Sequence, residues 1–265
     1  PAANAQGLPL VPDPAGQKAC TLGGDAAENS GGPHTLAYGV TTNHVTGLEV
    51  VLSDGTVVRL GGKALDSDGY DLVGLFVGSE GTLGIVTEIT VRLTPLPEDK
   101  RTLMAAFPTM DDASNATSAI IAAGIVPSAI EMMDQLATEA VEASVGAGYP
   151  LDAGGILLVE VDGVRDGLDA LRVRIEAICH EHHAASIRVA ATALERDRLW
   201  AGRTGASAAL GRPPPASSAQ AGGLRPTRPP PIPQPCPPAR RPHSPPPPAL
   251  LPPRPAGHPP PPPPH

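Results

Sequence analysis

The chain has 265 residues, enough for one or two domains, and a formal net charge of −8 from 27 acidic and 19 basic side chains. An acidic surplus works against nucleic-acid binding, which relies on Lys and Arg at phosphates, and no apolar run approaches the ~18 residues of a membrane span. Three scattered cysteines, Cys20, Cys179 and Cys236, without a C-x-x-C pair, give neither a disulfide framework nor a zinc site, so a cytoplasmic, reducing setting is expected.

The composition is not uniform. Residues 213–265 hold 25 of the 35 prolines and five Arg, with no Asp, Glu or aromatic side chain. That tail is +5, so residues 1–212 carry −13. No charged n-region and apolar h-region opens the chain, so no signal peptide is predicted. The chain begins at Pro1 without Met, and an upstream segment is expected to be missing.

In chain order, residues 1–19 are Pro-, Ala- and Gly-rich and read as extended, with Pro12-Asp13-Pro14 as a turn. Residues 20–39, CTLGGDAAENSGGPHTLAYG, hold two Gly-Gly pairs with Asn29 between them. Each Gly inside a helix or strand costs roughly 1 kcal/mol against Ala, so the stretch is predicted to be irregular, with residues 25–30 helix-compatible. Gly23-Gly24 and Gly31-Gly32 suit close approach of backbone to a ligand, and Asn29 donates and accepts in one plane. Residues 45–52 and 56–60 read as a hairpin around Ser53-Asp54-Gly55. Residues 61–69 form a polar connection. Residues 71–77 are short and apolar, either helix or strand. A second Gly-spaced stretch, residues 78–84 (GSEGTLG), leads into a strand over 85–94 that Pro95 and Pro97 end. It is neither G-x-G-x-x-G nor a P-loop.

A second module follows. Strands are predicted at 101–107, 129–133, 155–161 and 186–190. Helices are predicted at 111–123 (capped by Asp111 or Asp112 and stopped by Gly124), 135–145, 166–183 and 193–210. The third helix carries Leu168, Leu171, Ile175 and Ile178 at 3/4 spacing. This alternation predicts an α+β layer with helices on one face of an antiparallel sheet. The proline-rich tail can enter neither helix nor sheet interior and is expected to be disordered polyproline II. Its P-x-x-P pattern suits an SH3 or WW domain.

Together, Pro12-Asp13-Pro14, the CTLGGDAAENSGGPHTLAYG stretch and GSEGTLGIVTEIT resemble the FAD-linked oxidases of the vanillyl-alcohol-oxidase (PCMH) type, in the glycolate oxidase and D-lactate dehydrogenase branch. The resemblance covers about residues 9–212. It implies the second half of a PCMH-type FAD-binding domain over 1–97 and a ferredoxin-like antiparallel cap over 98–212, with the tail over 213–265. It favours a helix over 71–77 that delivers residues 78–84 to the cofactor. It implies FAD contacts from Pro12, Asp13, Cys20, Thr21, Gly23, Gly24, Asn29, Gly31, Gly32, Tyr38, Gly39, Glu80, Gly81, Gly84, Ile85 and Val86. It also implies that Arg203, in Trp200-Ala201-Gly202-Arg203, faces a substrate carboxylate, where a guanidinium fork grips two oxygens.

The chemistry implied is hydride transfer from a small 2-hydroxy acid, glycolate or D-lactate, to flavin N5. Other glycolate oxidase subunits or an electron acceptor are the implied partners. From residue type alone, Ile85 and Val86 read equally as strand core, Arg203 as a solvated helix residue and Cys20 as a small buried side chain. His34 and His44 read as satisfied loop residues. The cluster of His180, His182 and His183 points in divergent directions and makes a poor metal site. Glu80 and Asp25 could tune a cofactor or be solvated loop carboxylates. The family's first FAD-binding half and its downstream catalytic and metal motif have no counterpart here. The chain is therefore expected to be a fragment, inactive on its own, with an unknown catalytic residue and no metal site. Similarity stops near Gly211, which is consistent with an out-of-frame tail. The alternatives are an inactive remnant of the fold and a proline-rich interaction protein.

Overall fold

The computed structural model describes residue 14, residues 20–64 and residues 69–210, with side chains as far as Ala206. Pro12, Asp13, Cys236 and the proline-rich tail lie outside the described residues.

The first sheet has three antiparallel strands in the order β2-β1-β3: β1 is Val45–Val51, β2 Val57–Gly61 and β3 Ile85–Val91. The β1–β2 turn forms where its composition predicts. Gly55 takes a positive φ of 85°, and Asp54 Oδ1 accepts the Thr56 amide at 2.9 Å. The ambiguous apolar segment is a helix, α3 (Leu72–Phe76), because Asp71 caps it by accepting the Gly74 amide. The core here is small. Val45, Leu48, Val50 and Val77 are buried, and Val58, Leu60, Val73 and Phe76 pack partly buried around them.

Two short helices precede that sheet, α1 (Leu22–Glu28) and α2 (Thr35–Tyr38). The prediction that Gly23-Gly24 would break regular structure is corrected, since both lie in the first turn of α1. Thr21 caps that turn and its Oγ1 accepts the Gly24 amide at 3.0 Å. A bonded cap at this position offsets the entropic cost of the glycines.

The second sheet has the order β5-β6-β4-β7, all pairs antiparallel. Its strands are β4 (Asp99–Phe107), β5 (Ala129–Asp134), β6 (Gly155–Gly163) and β7 (Ser186–Val189). From β7 inward this places the fourth strand beside the first, then the third, then the second, as in a ferredoxin-like sheet. The intervening helices are α4 (Met110–Ala122), α5 (Gln135–Val145), α6 (Arg165–Glu181) and α7 (Ala193–Leu210).

The helices cover both faces of this sheet, which corrects the one-face arrangement. Successive strand residues point to opposite sides. Leu103, Ala105 and Phe107 of β4, with Leu157, Val159 and Val161 of β6, pack on Ala116 and Ile120 of α4 and on Leu168, Ile175 and Cys179 of α6. Met104, Ala106, Ile156 and Leu158 face the other way, toward Val141 of α5 and Leu199 and Ala206 of α7. Fully burying each Leu, Ile or Phe contributes roughly 1.5–3 kcal/mol, so this module holds most of the apolar stabilisation. The cap of α4 also differs from expectation. Thr109 is the N-cap, its Oγ1 accepting the Asp112 amide at 3.1 Å, and Asp112 sits three residues into the helix.

Candidate functional site

The two glycine-rich stretches, distant in sequence, meet at the C-terminal end of α1. The Gly78 amide donates to the Ala26 carbonyl at 2.8 Å, and the Glu80 amide to the Ala27 carbonyl at 2.9 Å. Gly78 and Gly81 hold positive φ values of 82° and 75°, and Glu80 takes a left-handed φ of 53°. Asn29 closes α1, also left-handed (φ 51°), and its Oδ1 accepts the Thr42 amide at 2.9 Å. It therefore ties α1 to the 3-10 turn Thr41–Asn43.

The glycines divide by what surrounds them. A Cβ at Gly31 would come 2.8 Å from Thr35 Oγ1, one at Gly84 2.7 Å from Val50 Cγ1, and one at Gly39 would clash with Asn43 Oδ1. Those three are required by the protein's own packing. A Cβ at Gly23 or Gly81 would meet no heavy atom within 4 Å. Gly32 donates its amide to Thr35 Oγ1 at 2.8 Å. Leu22, Leu83 and Ile85, chain neighbours of these glycines, are exposed, Ile85 at 69%. Val86 is half-buried and pairs with Val50.

Cys20 is exposed, which corrects the expectation of a buried residue. Its Sγ donates to Asp25 at 3.3 Å, and desolvation together with that carboxylate pushes its pKa up, away from a reactive thiolate.

The segment after α1 docks on the second sheet through side chains. His34 Nε2 lies 3.2 Å from Glu160 Oε1, and Tyr38 donates to Asp162 at 2.8 Å. Glu160 is 1% exposed in the middle of β6. Lys100 Nζ reaches its Oε1 at 3.0 Å, while Thr102 Oγ1 and Trp200 Nε1 donate to its Oε2 at 2.6 and 2.7 Å. Desolvation pushes the Glu160 pKa up, but the His34 hydrogen bond, the Lys100 charge and the Thr102 hydroxyl outweigh it and bring it down to about 2. The carboxylate is thus ionised and only accepts, so His34 Nε2 carries the proton between them. The His34 and Trp200 rings stand 5.7 Å apart between centroids, tilted by 36°. The Tyr38 pKa is raised by desolvation and then by Asp162.

Trp200 and Arg203 lie on successive turns of α7. Arg203 Nε donates to Glu131 of β5 at 2.9 Å, and its side chain is 25% exposed, so it is a half-buried paired Arg rather than a solvated one. Gly202 has a steric reason. A Cβ there would come 2.6 Å from the Tyr149 ring. Tyr149 is buried against α7, and its hydroxyl donates to the Leu199 carbonyl. Burial pushes the Tyr149 pKa up to about 12. Glu142 holds the loop that brings Tyr149 in, accepting the Gly148 and Tyr149 amides at 3.0 and 2.9 Å.

His44 is buried, with Nε2 2.8 Å from the Tyr38 carbonyl and Nδ1 without a hydrogen-bond partner, and burial lowers its pKa. His183 pairs with Asp112 at 3.0 Å. Among the described residues, no group of three or more His, Cys, Asp or Glu is placed to hold a metal ion. No helix of the described residues is long and apolar enough to cross a membrane. Glu160, Lys100, Thr102, Glu131 and Tyr149 do not stand out in the sequence as site residues. A lone Glu inside the apolar run GILLVEV is the available signal, because an unpaired carboxylate cannot be buried cheaply.

Residues 96–219 match the family described as FAD linked oxidases, C-terminal domain, and residues 1–61 match the family described as FAD binding domain. The glycolate oxidase subunit GlcD of Escherichia coli K12 is 46% identical over 205 residues, 77% of this chain and 41% of that protein. GlcD of Bacillus subtilis is 46% identical, covering 80% of this chain and 45% of that protein. A D-lactate dehydrogenase of Archaeoglobus fulgidus is 37% identical, over 75% of this chain and 44% of that protein. The chain spans less than half the length of these curated relatives. Among solved structures, an alkyldihydroxyacetonephosphate synthase superposes with a TM-score of 0.63 at 23% identity, over 77% of this chain and 41% of its own. A p-cresol methylhydroxylase superposes with a TM-score of 0.58 at 17% identity, over 74% of this chain and 44% of its own. At these identities the structures speak for the fold alone.

Proposed function

Because the chain belongs to the FAD-linked oxidases, we propose that it forms one wall of an FAD site and the cap above it in an enzyme oxidising a small 2-hydroxy acid. The observation that carries this reading is the docking of the two glycine-rich stretches on the end of α1, with open space beside Gly23 and Gly81. A flavin dinucleotide fits these residues. Backbone amides without a Cβ can approach its pyrophosphate, and exposed Leu22, Leu83 and Ile85 can cover its apolar surface. The family chemistry accounts for FAD as the cofactor, and FAD when bound supplies the acceptor for the hydride leaving the substrate Cα.

In this reading residues 1–97 are the FAD-binding part, 98–212 the cap and 213–265 an appended tail. The cofactor contacts are Pro12, Asp13, Cys20, Thr21, Gly23, Gly24, Asn29, Gly31, Gly32, Tyr38, Gly39, Glu80, Gly81, Gly84, Ile85 and Val86. Arg203 binds the substrate carboxylate. Its Nε is held by Glu131, which leaves the two terminal nitrogens to form the fork. Glycolate and D-lactate are the candidate substrates, after the relatives named for them. Other oxidase subunits or an electron acceptor are the candidate partners, and the setting is cytoplasmic.

Titrating the FAD-loaded chain anaerobically with glycolate and with D-lactate tests the substrate half. A flavin spectrum perturbed by either acid, the sign of binding under the cap, supports the reading; bleaching is not required of a chain without the catalytic motif. A flavin spectrum unmoved by both acids overturns it.

A further inference from the structure

We propose that Glu160 is a positioning residue that ties the glycine-rich segment carrying His34 to the turn of α7 carrying Trp200 and Arg203, so that ordering one orders the other. Its place in the fold makes this an unusual use of a carboxylate. Glu160 lies on the same face of β6 as Ile156 and Leu158, which are fully buried and apolar, and an apolar residue would fill that layer without desolvating a charge.

The donors around it come from three parts of the chain. His34 belongs to the segment between α1 and α2, Lys100 and Thr102 to β4, and Trp200 to α7. They divide by oxygen. Oε1 takes His34 and Lys100, and Oε2 takes Thr102 and Trp200. Ser128 Oγ holds the Glu160 carbonyl at 3.0 Å, so the strand position is set independently of the side chain. One rigid carboxylate plane therefore sets the His34 and Trp200 positions together. Arg203 lies one turn further along α7, where the Glu131 pair and the Tyr149 ring against Gly202 fix its azimuth. The link to the cofactor rests on the flavoenzyme reading; the mechanical link between the two segments does not.

The test uses the full 265-residue chain. Glu160→Gln keeps the shape, but its –NH2 cannot accept, so Lys100 or Trp200, which can only donate, loses its acceptor. Hydrogen–deuterium exchange should then speed up about tenfold in both residues 30–44 and residues 193–206, with the β4–β6 ladder unchanged. Faster exchange in only one of the two segments, or spread through the sheet, or no change, overturns the proposal.

Trp200→Phe removes the indole N–H and should weaken FAD binding about fivefold although Trp200 belongs to the other module. An unchanged FAD affinity also overturns the coupling. If the unsubstituted chain binds no FAD, the cofactor reading falls by that result alone and the exchange pattern decides the inference.

Discussion

Removing the charge of Glu160 should erase an acid-dependent part of the protein's stability. The carboxylate has an ordinary value near 4.5 and a folded value of about 2. Its folded pKa is depressed, so the unfolded chain binds the extra proton between those values. The stabilisation is complete above about pH 4.5 and is lost as pH falls toward 2. At roughly 1.4 kcal/mol per pKa unit, that gap corresponds to about 3 kcal/mol. Glu160 is 1% exposed, so solvent screening takes little from this figure.

Urea unfolding can be followed through the emission of Trp200, the single Trp of the chain, whose indole donates to Glu160. The stability difference between the unsubstituted chain and Glu160→Gln should shrink by about 3 kcal/mol between pH 5 and pH 2. Other carboxylates with depressed values, such as Asp99 and Asp169, titrate in both proteins and cancel in the difference. A difference that stays constant across that range would show that the donors around Glu160 do not hold its proton off, and the reasoning would fail.

The remaining predictions concern single residues of the two modules. Gly202→Ala drives a Cβ into the Tyr149 ring and should lower stability by about 1–3 kcal/mol. Gly167→Ala, in α6 with nothing within 4 Å, should be neutral or stabilising by up to about 1 kcal/mol; thermal melts of both check the pair. Gly84→Ala should destabilise the first sheet, where Val50 and the Val51 carbonyl occupy the space. Gly23→Ala should leave the melting temperature unchanged or slightly raised and weaken FAD binding, read by flavin fluorescence titration; equal affinity would remove Gly23 from the cofactor wall. Arg203→Lys loses both the planar fork and the Nε link to Glu131, so 2-hydroxy-acid binding to the FAD-loaded chain should weaken at least tenfold with FAD affinity unchanged. Flavin difference spectra measure both.

Much of the fold could be read from local pattern. The continuous apolar runs of β4 and β6 and the turn at Asp54-Gly55 are encoded within a few residues, and so they form where composition places them. The Thr109 cap is hidden although T-x-x-D stands in the sequence, because two adjacent aspartates offer a competing cap. The placement of helices on both faces was not legible. It depends on which side each helix crosses the sheet, which neither α5 nor α7 declares in its own sequence.

The glycine stretches stand out by composition, yet their meeting at the end of α1 depends on backbone bonds between residues about fifty apart. The pairings of Arg203 with Glu131 and of His34 with Glu160 span still longer separations, which no spacing rule reaches. A charged residue in an apolar strand only says that partners exist, not which ones.

The most direct test of the cofactor wall mixes the purified chain with FAD, removes unbound cofactor by gel filtration and records the visible flavin absorbance of the protein peak. Flavin should co-elute with the chain, and Gly23→Ala should reduce the amount retained. A folded but colourless chain, with all flavin in the small-molecule fraction, would contradict the cofactor wall built from α1 and the two glycine-rich stretches.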